Sequence, residues 1–169
     1  MPIVVPLLRC RAGCKTSLDQ GKTAAIFSDN GFDVVEAFRP LAELDDYRNK
    51  TRITIVGLTD DRKRETRSGA VTIRQPIQVA VQRLIVPSKI EQSNGLITLW
   101  EEVKARLETV PPPGWTWMDT NSLKDEAGTP YEFSRYRESN VFEGIFTLIF
   151  QATFTRAELG DPSAEDDDD

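Results

Sequence analysis

The side chains with the most obvious chemical potential lie near the start of the chain. Cys10 and Cys14 form a CxxxC pair, a spacing that sets two thiols on adjacent turns of a helix. Two thiols alone do not make a zinc site, and a disulfide framework needs more cysteines. The pair therefore reads as plain reduced thiols, with a redox dithiol as the alternative. Two short stretches, Gly13-Cys14-Lys15-Thr16 and Gly21-Lys22-Thr23, suggest a phosphate loop. A Walker A loop needs a glycine five residues before its Gly-Lys pair, so that backbone N–H groups wrap the phosphates. Thr16 holds that place for Gly21, and Lys15 is displaced by one residue from Gly13. The sequence has no histidine, which removes the Ser-His-Asp triad, the Cys-His dyad and every His-ligated zinc site.

Carboxylate pairs occur at Asp45-Asp46 and Asp60-Asp61, each within a polar stretch. General acid–base work needs two carboxyl groups in unlike, partly buried settings, and these pairs read as solvated loops. Catalytic residues, cofactor and metal ligands are all assigned as none. Arg62, Lys63, Arg64 and Arg67 form a basic cluster that could touch nucleic acid or an acidic protein surface, or serve as an inter-subunit or lumen contact. Asp60, Asp61 and Glu65 offset much of that charge, and no aromatic residue is interleaved for base stacking. Trp115 and Trp117 are spaced to share one side of a strand, for core packing or for contact with a partner.

These groups must be held by elements that the hydrophobic pattern predicts. Cys14, Leu18, Gly21 and Ala25 lie at helical spacing, which predicts a helix of two to three turns ending before Asn30-Gly31. Phe32 to Phe38 reads as a strand, Leu41 to Tyr47 as a helical turn, and Arg52 to Leu58 as a β-branched strand. Thr59 to Gly69 reads as a polar hairpin tip. In Val71 to Ile85 the apolar residues alternate with Thr72, Arg74, Gln78 and Gln82, a period of two sustained far beyond the usual strand of about five or six residues. Pro76 interrupts it and predicts an edge or a bulge. Leu96, Leu99, Trp100, Val103 and Leu107 draw one stripe on a helix near Asn94 to Glu108, with Glu102 and Arg106 spaced to pair on the other face. Trp115 to Met118 and Tyr131 to Tyr136 are short strand candidates, with Asp125 to Pro130 a loop before the second. In Phe142 to Thr155 an aromatic-rich face alternates with threonine and glutamine.

The whole is an α+β fold: a mostly antiparallel sheet with long strands, packed by one amphipathic helix and an N-terminal helix. At 169 residues with 39% hydrophobic residues, one domain over residues 1–156 can bury a real core. Ala157 to Asp169 carries seven acids and no base and reads as a disordered, solvated tail. Those seven, taken from 27 acids, leave 20 against 21 bases, so the body is near neutral. No apolar run is long enough for a membrane span. The apolar start, Met1 to Leu8, is short, has no basic flank and carries Pro2 and Pro6, so it is not read as a signal peptide.

The element order carries a resemblance. A helix precedes a strand pair with a charged tip. The long strand Ile73-Arg74-Gln75-Pro76-Ile77-Gln78-Val79-Ala80-Val81-Gln82 follows, then an amphipathic helix, then Phe142-Glu143-Gly144-Ile145-Phe146-Thr147-Leu148-Ile149-Phe150. Over residues 32 to 156 this resembles the tail-terminator and neck (head–tail joining) proteins of tailed bacteriophages. The resemblance rests on element order and strand style and carries no chemical motif. It implies a non-enzymatic virion protein made in the host cytoplasm, without cofactor. It implies a homo-oligomeric ring, a hexamer in the common case, that binds tail-tube and neck proteins and lets DNA pass without holding it tightly. The alternatives are another phage tube, neck or head-completion protein, or a small binding module.

Overall fold

A computed structural model describes residues 3–37, 50–64, 69–86, 90–122 and 140–160. Within them the chain forms α1 (Pro6–Thr23), β1 (Asp33–Ala37), β2 (Arg52–Gly57), β3 (Asp61–Arg64), β4 (Ala70–Leu84), α2 (Ile90–Thr109), β5 (Thr116–Ser122) and β6 (Val141–Thr155). The strands make one sheet in the order β1-β2-β4-β6-β5, with β3 also paired to β4. All pairings are antiparallel except β1 with β2, which is parallel. This is the expected α+β architecture with a mostly antiparallel sheet. The predicted elements at Leu41 to Tyr47, Asp125 to Pro130 and Tyr131 to Tyr136 lie outside the described residues, as do residues 161–169 of the acidic segment.

Two long strands form the spine. β4 and β6 pair without a break from Ala70↔Thr155 to Leu84↔Val141. Their alternation sends Val71, Ile73, Ile77, Val79 and Val81 to the same side as Phe146, Leu148, Phe150 and Phe154, where all are buried. Both helices cover that side. The α2 stripe Leu96, Leu99, Trp100, Val103 and Leu107 is buried as its spacing predicts, and the helix starts four residues before the expected Asn94. Each such side chain taken fully out of water contributes about 1.5–3 kcal/mol. The Glu102 carboxylate accepts hydrogen bonds from the backbone N–H and hydroxyl of Ser28, both at 2.8 Å, in place of the expected partner Arg106.

The N-terminal helix is longer than its apolar spacing predicts. It begins at Pro6, where a missing N–H costs nothing, and runs 18 residues. It buries Cys10, Cys14 and Leu18 against the sheet. It stops at Thr23, well before Asn30-Gly31. Ile26 N–H donates to Gly21 O and Ala25 N–H to Lys22 O, while Ala25 takes a φ of 52°. This is a Schellman cap with alanine in the left-handed position, and alanine there gave no sign in the sequence of where the helix ends. Asn30 instead donates its side-chain N–H to Phe27 O at 2.7 Å.

Pro76 acts at a bulge-like break in the neighbouring strand. On one side β6 stays paired opposite it. On the other, β2 pairs with β4 as far as Ile77, β3 resumes at Arg74, and residues 58–60 bridge the gap. Proline has no donor to offer there. The buried Gln75 side chain supplies one, its Nε2 donating to Leu58 O at 2.7 Å, while Leu58 N–H donates to Pro76 O at 3.0 Å. The predicted hairpin tip is therefore partly strand: Asp61 to Arg64 is laddered to β4.

The chain does not leave the fold at Ala157. Glu158 O accepts from Val4 N–H at 2.7 Å, and Leu159 packs against the core. The folded body thus extends to Gly160, past the expected boundary of the tail. No helix among the described residues is long and apolar enough to cross a membrane.

Candidate assembly face

The sheet face away from the helices has two distinct ends. At the β2 end, Thr54, Val56, Ala80, Gln82 and Glu143 are buried. Thr54 Oγ1 donates to Gln82 Oε1 at 3.2 Å, and Gln82 Nε2 donates to the Glu143 carboxylate, which links three adjacent strands. The even positions of β4 are therefore not uniformly wet, as their polarity suggests. A buried Gln is tolerated because its amide finds partners on both sides.

At the β3 end the same face is open. Register stacks Lys63, Thr72 and Thr153 in one row and Asp61, Arg74, Gln151 and Thr116 in the next. The hydroxyls of Thr72 and Thr153 are hydrogen-bonded at 3.2 Å, and Arg74 Nε donates to Gln151 Oε1 at 3.2 Å. Cross-strand pairs of this kind contribute roughly 0.2–1 kcal/mol each. Asp61, Lys63, Thr72, Arg74 and Gln151 line a shallow pocket of about 410 Å³.

Strand alternation divides the basic cluster. Lys63 joins the pocket, whereas Arg62 lies opposite Ile73 in register, on the other side of β3, and pairs with Asp60 at 2.8 Å. Arg64 closes β3 opposite Val71, and Arg67 lies outside the described residues. The residues that complete the site with Lys63 are Arg74, Gln151 and Thr153, which come from strands far away in sequence. Their signal was present in the polar positions of β4 and β6, but it takes the register between strands to collect them.

The two tryptophans also part company. Trp115 precedes β5 in a turn closed by its N–H to Pro112 O, is 5% exposed, and stacks edge-on against Phe154 with ring centroids 5.6 Å apart. Burial withdraws it from the expected partner contact. Trp117 is 39% exposed and Met118 44% exposed, beside a register shift between Trp117 and Asp119. The Trp117 indole N–H donates to Thr120 Oγ1 at 2.9 Å, and that hydroxyl donates to Glu108 at 2.6 Å. Among the described residues β5 is the outermost strand on this side, and its register shift interrupts the regular ladder.

The phosphate-loop stretches fall inside α1. A Cβ on Gly13 would lie 2.6 Å from Pro112 Cβ, and one on Gly21 would lie 2.7 Å from Phe27 Cε2. Both glycines permit close packing and present no loop of N–H groups. Cys10 and Cys14 are free and fully buried. Burial, reinforced by the adjacent Cys14 thiol, pushes the Cys10 thiol far above its ordinary value, so it stays protonated. No group of three or more potential metal-ligating side chains gathers among the described residues. No protein-family model matches the chain, and no curated protein sequence matches it.

Proposed function

We propose that this chain is a structural protomer that assembles into a ring, as a tail terminator at the head-proximal end of a phage tail tube and its junction with the neck. The observation that supports this reading is the asymmetry of the sheet. One face is closed by two helices, while the open end of the other presents threonine, glutamine and arginine in rows. β5, the outermost described strand on the other side of the sheet, adds the exposed Trp117 and Met118. A closed ring uses heterologous contacts, one patch meeting a different patch on the next copy, and these two surfaces supply such a pair. Aromatic residues and methionine with a polar surround are the composition that protein interfaces favour.

Native mass spectrometry with negative-stain imaging tests this. The expected result is a single closed oligomer, alone or after addition of tail-tube protein, with rings visible in projection. A monomer under every condition, tail-tube protein included, counts decisively against it. The pocket at Lys63 and Arg74 favours the small binding module as the second reading, and a monomer that binds an anion there would move the assignment to it.

A further inference from the structure

The side chains along β3 and along β5 are complementary in charge. We infer that β3 of one copy lies beside β5 of the next, with Lys63 set against Asp119 and Arg62 against the linked group Trp117, Thr120 and Glu108. This inference rests on the ring proposed above and names the residues that join its subunits.

Topology puts the two strands at opposite margins of one end of the sheet. There β3 pairs with β4 on the side away from β6, and β5 pairs with β6 on the side away from β4. Among the described residues they are the outermost strands at that end. β3 runs antiparallel to β4, and β5, antiparallel to β6, runs in the same direction as β4. A copy moved sideways by the width of the sheet therefore sets its β3 antiparallel to the first copy's β5, with helix side beside helix side.

Alternation then decides which side chains meet. Asp61 and Lys63 point to the open face of the sheet, and so do Asp119 and Asn121, opposite Ile149 and Thr147. Arg62 lies on the helix side, as do Trp117 and Thr120, opposite Phe150 and Leu148. Lys63 against Asp119 places Arg62 against Thr120 and Asp61 against Asn121. Each match is favourable. The ammonium meets a carboxylate, and the Asn121 amide can donate to Asp61. The guanidinium arrives where the Trp117 indole N–H donates to Thr120 and the Thr120 hydroxyl donates to Glu108. Arg62 keeps its Nε on Asp60 and offers its Nη side to the Glu108 carboxylate and the indole face. Asp61, Arg62, Lys63, Trp117 and Asp119 are all exposed. Sliding the copies by two residues would set Asp61 against Asp119, so like-charge repulsion disfavours that register.

This register carries an offset. Within one copy Lys63 is level with Thr153 of β6 and Asp119 with Ile149, four residues along the same strand. Neighbouring copies are thus displaced by about 13 Å in the strand direction. Closing a set of strands on itself requires such a stagger. The register shift between Trp117 and Asp119 keeps the two backbones from forming a regular ladder, so side chains carry the contact.

The test uses full-length chains and native mass spectrometry, with Lys63→Glu and Asp119→Lys as single changes at exposed side chains. Each alone is expected to raise the concentration needed for ring assembly roughly ten-fold or more, because like charges then face each other at every contact. An equimolar mixture of the two variants, one isotope-labelled, is expected to restore rings that hold equal numbers of each chain. In that mixture the reversed pair and the native pair alternate around the ring. Asp119→Asn keeps an acceptor for the Thr120 N–H and guards against a folding defect. It is expected to weaken assembly in the same direction but less. Rings that form equally well from both charge-reversed variants overturn this contact and leave the ring itself standing. Variants that dissociate and are not restored by mixing overturn the pairing of Lys63 with Asp119. A mixture that stops at a heterodimer overturns the head-to-tail arrangement. A native chain that stays monomeric under every condition, tail-tube protein included, removes the ring reading and this contact with it.

Discussion

Gly144 on β6 lies so close to Trp100 on α2 that a Cβ placed on it would sit 2.6 Å from Cδ1 of the indole. The absent side chain lets the largest side chain of the helix pack directly against the strand. Trp100 then stacks edge-on against Phe146 with centroids 5.6 Å apart, and the Lys104 ammonium sits 4.5 Å from the ring centroid on the helix side. One glycine thus sets the spacing between layers.

Gly144→Ala is therefore expected to destabilise the protein by about 1–3 kcal/mol, the usual cost of forcing extra volume into a packed core. In a chain of this size each kcal/mol lowers Tm by roughly 2–4 °C. Thermal and urea unfolding check this, and an unchanged Tm shows that α2 can shift to make room. Gly95, with nothing near its Cβ position, is the control: its replacement by alanine inside α2 is expected to stabilise.

Gln75 is the only polar residue on the buried face of β4 between Val71 and Val81, and it is fully buried. Its amide replaces the ladder hydrogen bond that Pro76 cannot give. Gln75→Leu keeps the volume and removes the donor to Leu58 O. The expected loss is about 0.5–1.5 kcal/mol, the net contribution of one hydrogen bond, since Leu58 is exposed enough for water to reach its carbonyl. Amide exchange should quicken first at Leu58, whose N–H bonds to Pro76 O across the break. Neutral stability in urea would show that Leu58 O finds another donor.

The difference in legibility between the spine and its surroundings has a physical basis. β4, β6 and α2 bury one regular face each, so periodicity in the sequence reads directly as structure, and their apolar residues are buried as expected. α1 carries its contact on small residues, Cys10, Cys14, Ser17 and Gly21, which leave a weak hydrophobic signal. Gln82 alternates with the apolar residues of β4 as a solvent-facing position would, whereas hydrogen bonds to Thr54 and Glu143 on neighbouring strands pair it inside. The candidate pocket was half legible. Lys63 lay in a visible basic run, but Arg74, Gln151 and Thr153 meet it only through register, which no local pattern encodes.

The tryptophans offer a paired contrast. Trp115→Ala empties a buried site against Phe154 and is expected to cost about 3–5 kcal/mol. Trp115→Phe should cost less, because the indole N–H it deletes has no hydrogen-bond partner among the described residues. Trp117→Ala, at a partly exposed side chain whose indole N–H binds Thr120, is expected to cost about 1–2 kcal/mol, clearly less than Trp115→Ala. If β5 is part of the proposed ring interface, the same change weakens assembly in native mass spectrometry. A large stability loss at Trp117 would instead place its role within the fold.

The buried thiols should be inert in the native state. Cys10 and Cys14 have no exposed surface, and burial keeps the Cys10 thiol protonated. Mixing the folded protein with a thiol-reactive chromophore at mildly alkaline pH is expected to give no prompt signal. Denaturant should release two equivalents. Prompt modification of either cysteine in the folded protein contradicts the burial.

The turn that ends β6 predicts a pH response. Glu158 accepts from the Thr155 N–H at 2.7 Å and from its hydroxyl at 3.0 Å. The backbone hydrogen bond first, then the hydroxyl, with Arg9 adding a smaller attraction, hold the carboxyl below its ordinary glutamate value. A carboxyl whose value is lower in the folded than in the unfolded chain favours folding only while ionised. Its contribution is complete above the unfolded value and is lost as pH falls through the folded one. The Thr155 amide resonance should therefore titrate with a midpoint below that of an ordinary glutamate, moving as the turn loosens. Val4, whose N–H bonds to Glu158 O, should shift with the same midpoint, because the turn also fastens the start of the chain. Glu158→Gln should abolish the transition at both amides. A Thr155 midpoint at or above the ordinary glutamate value would mean that the carboxylate does not accept these hydrogen bonds in solution.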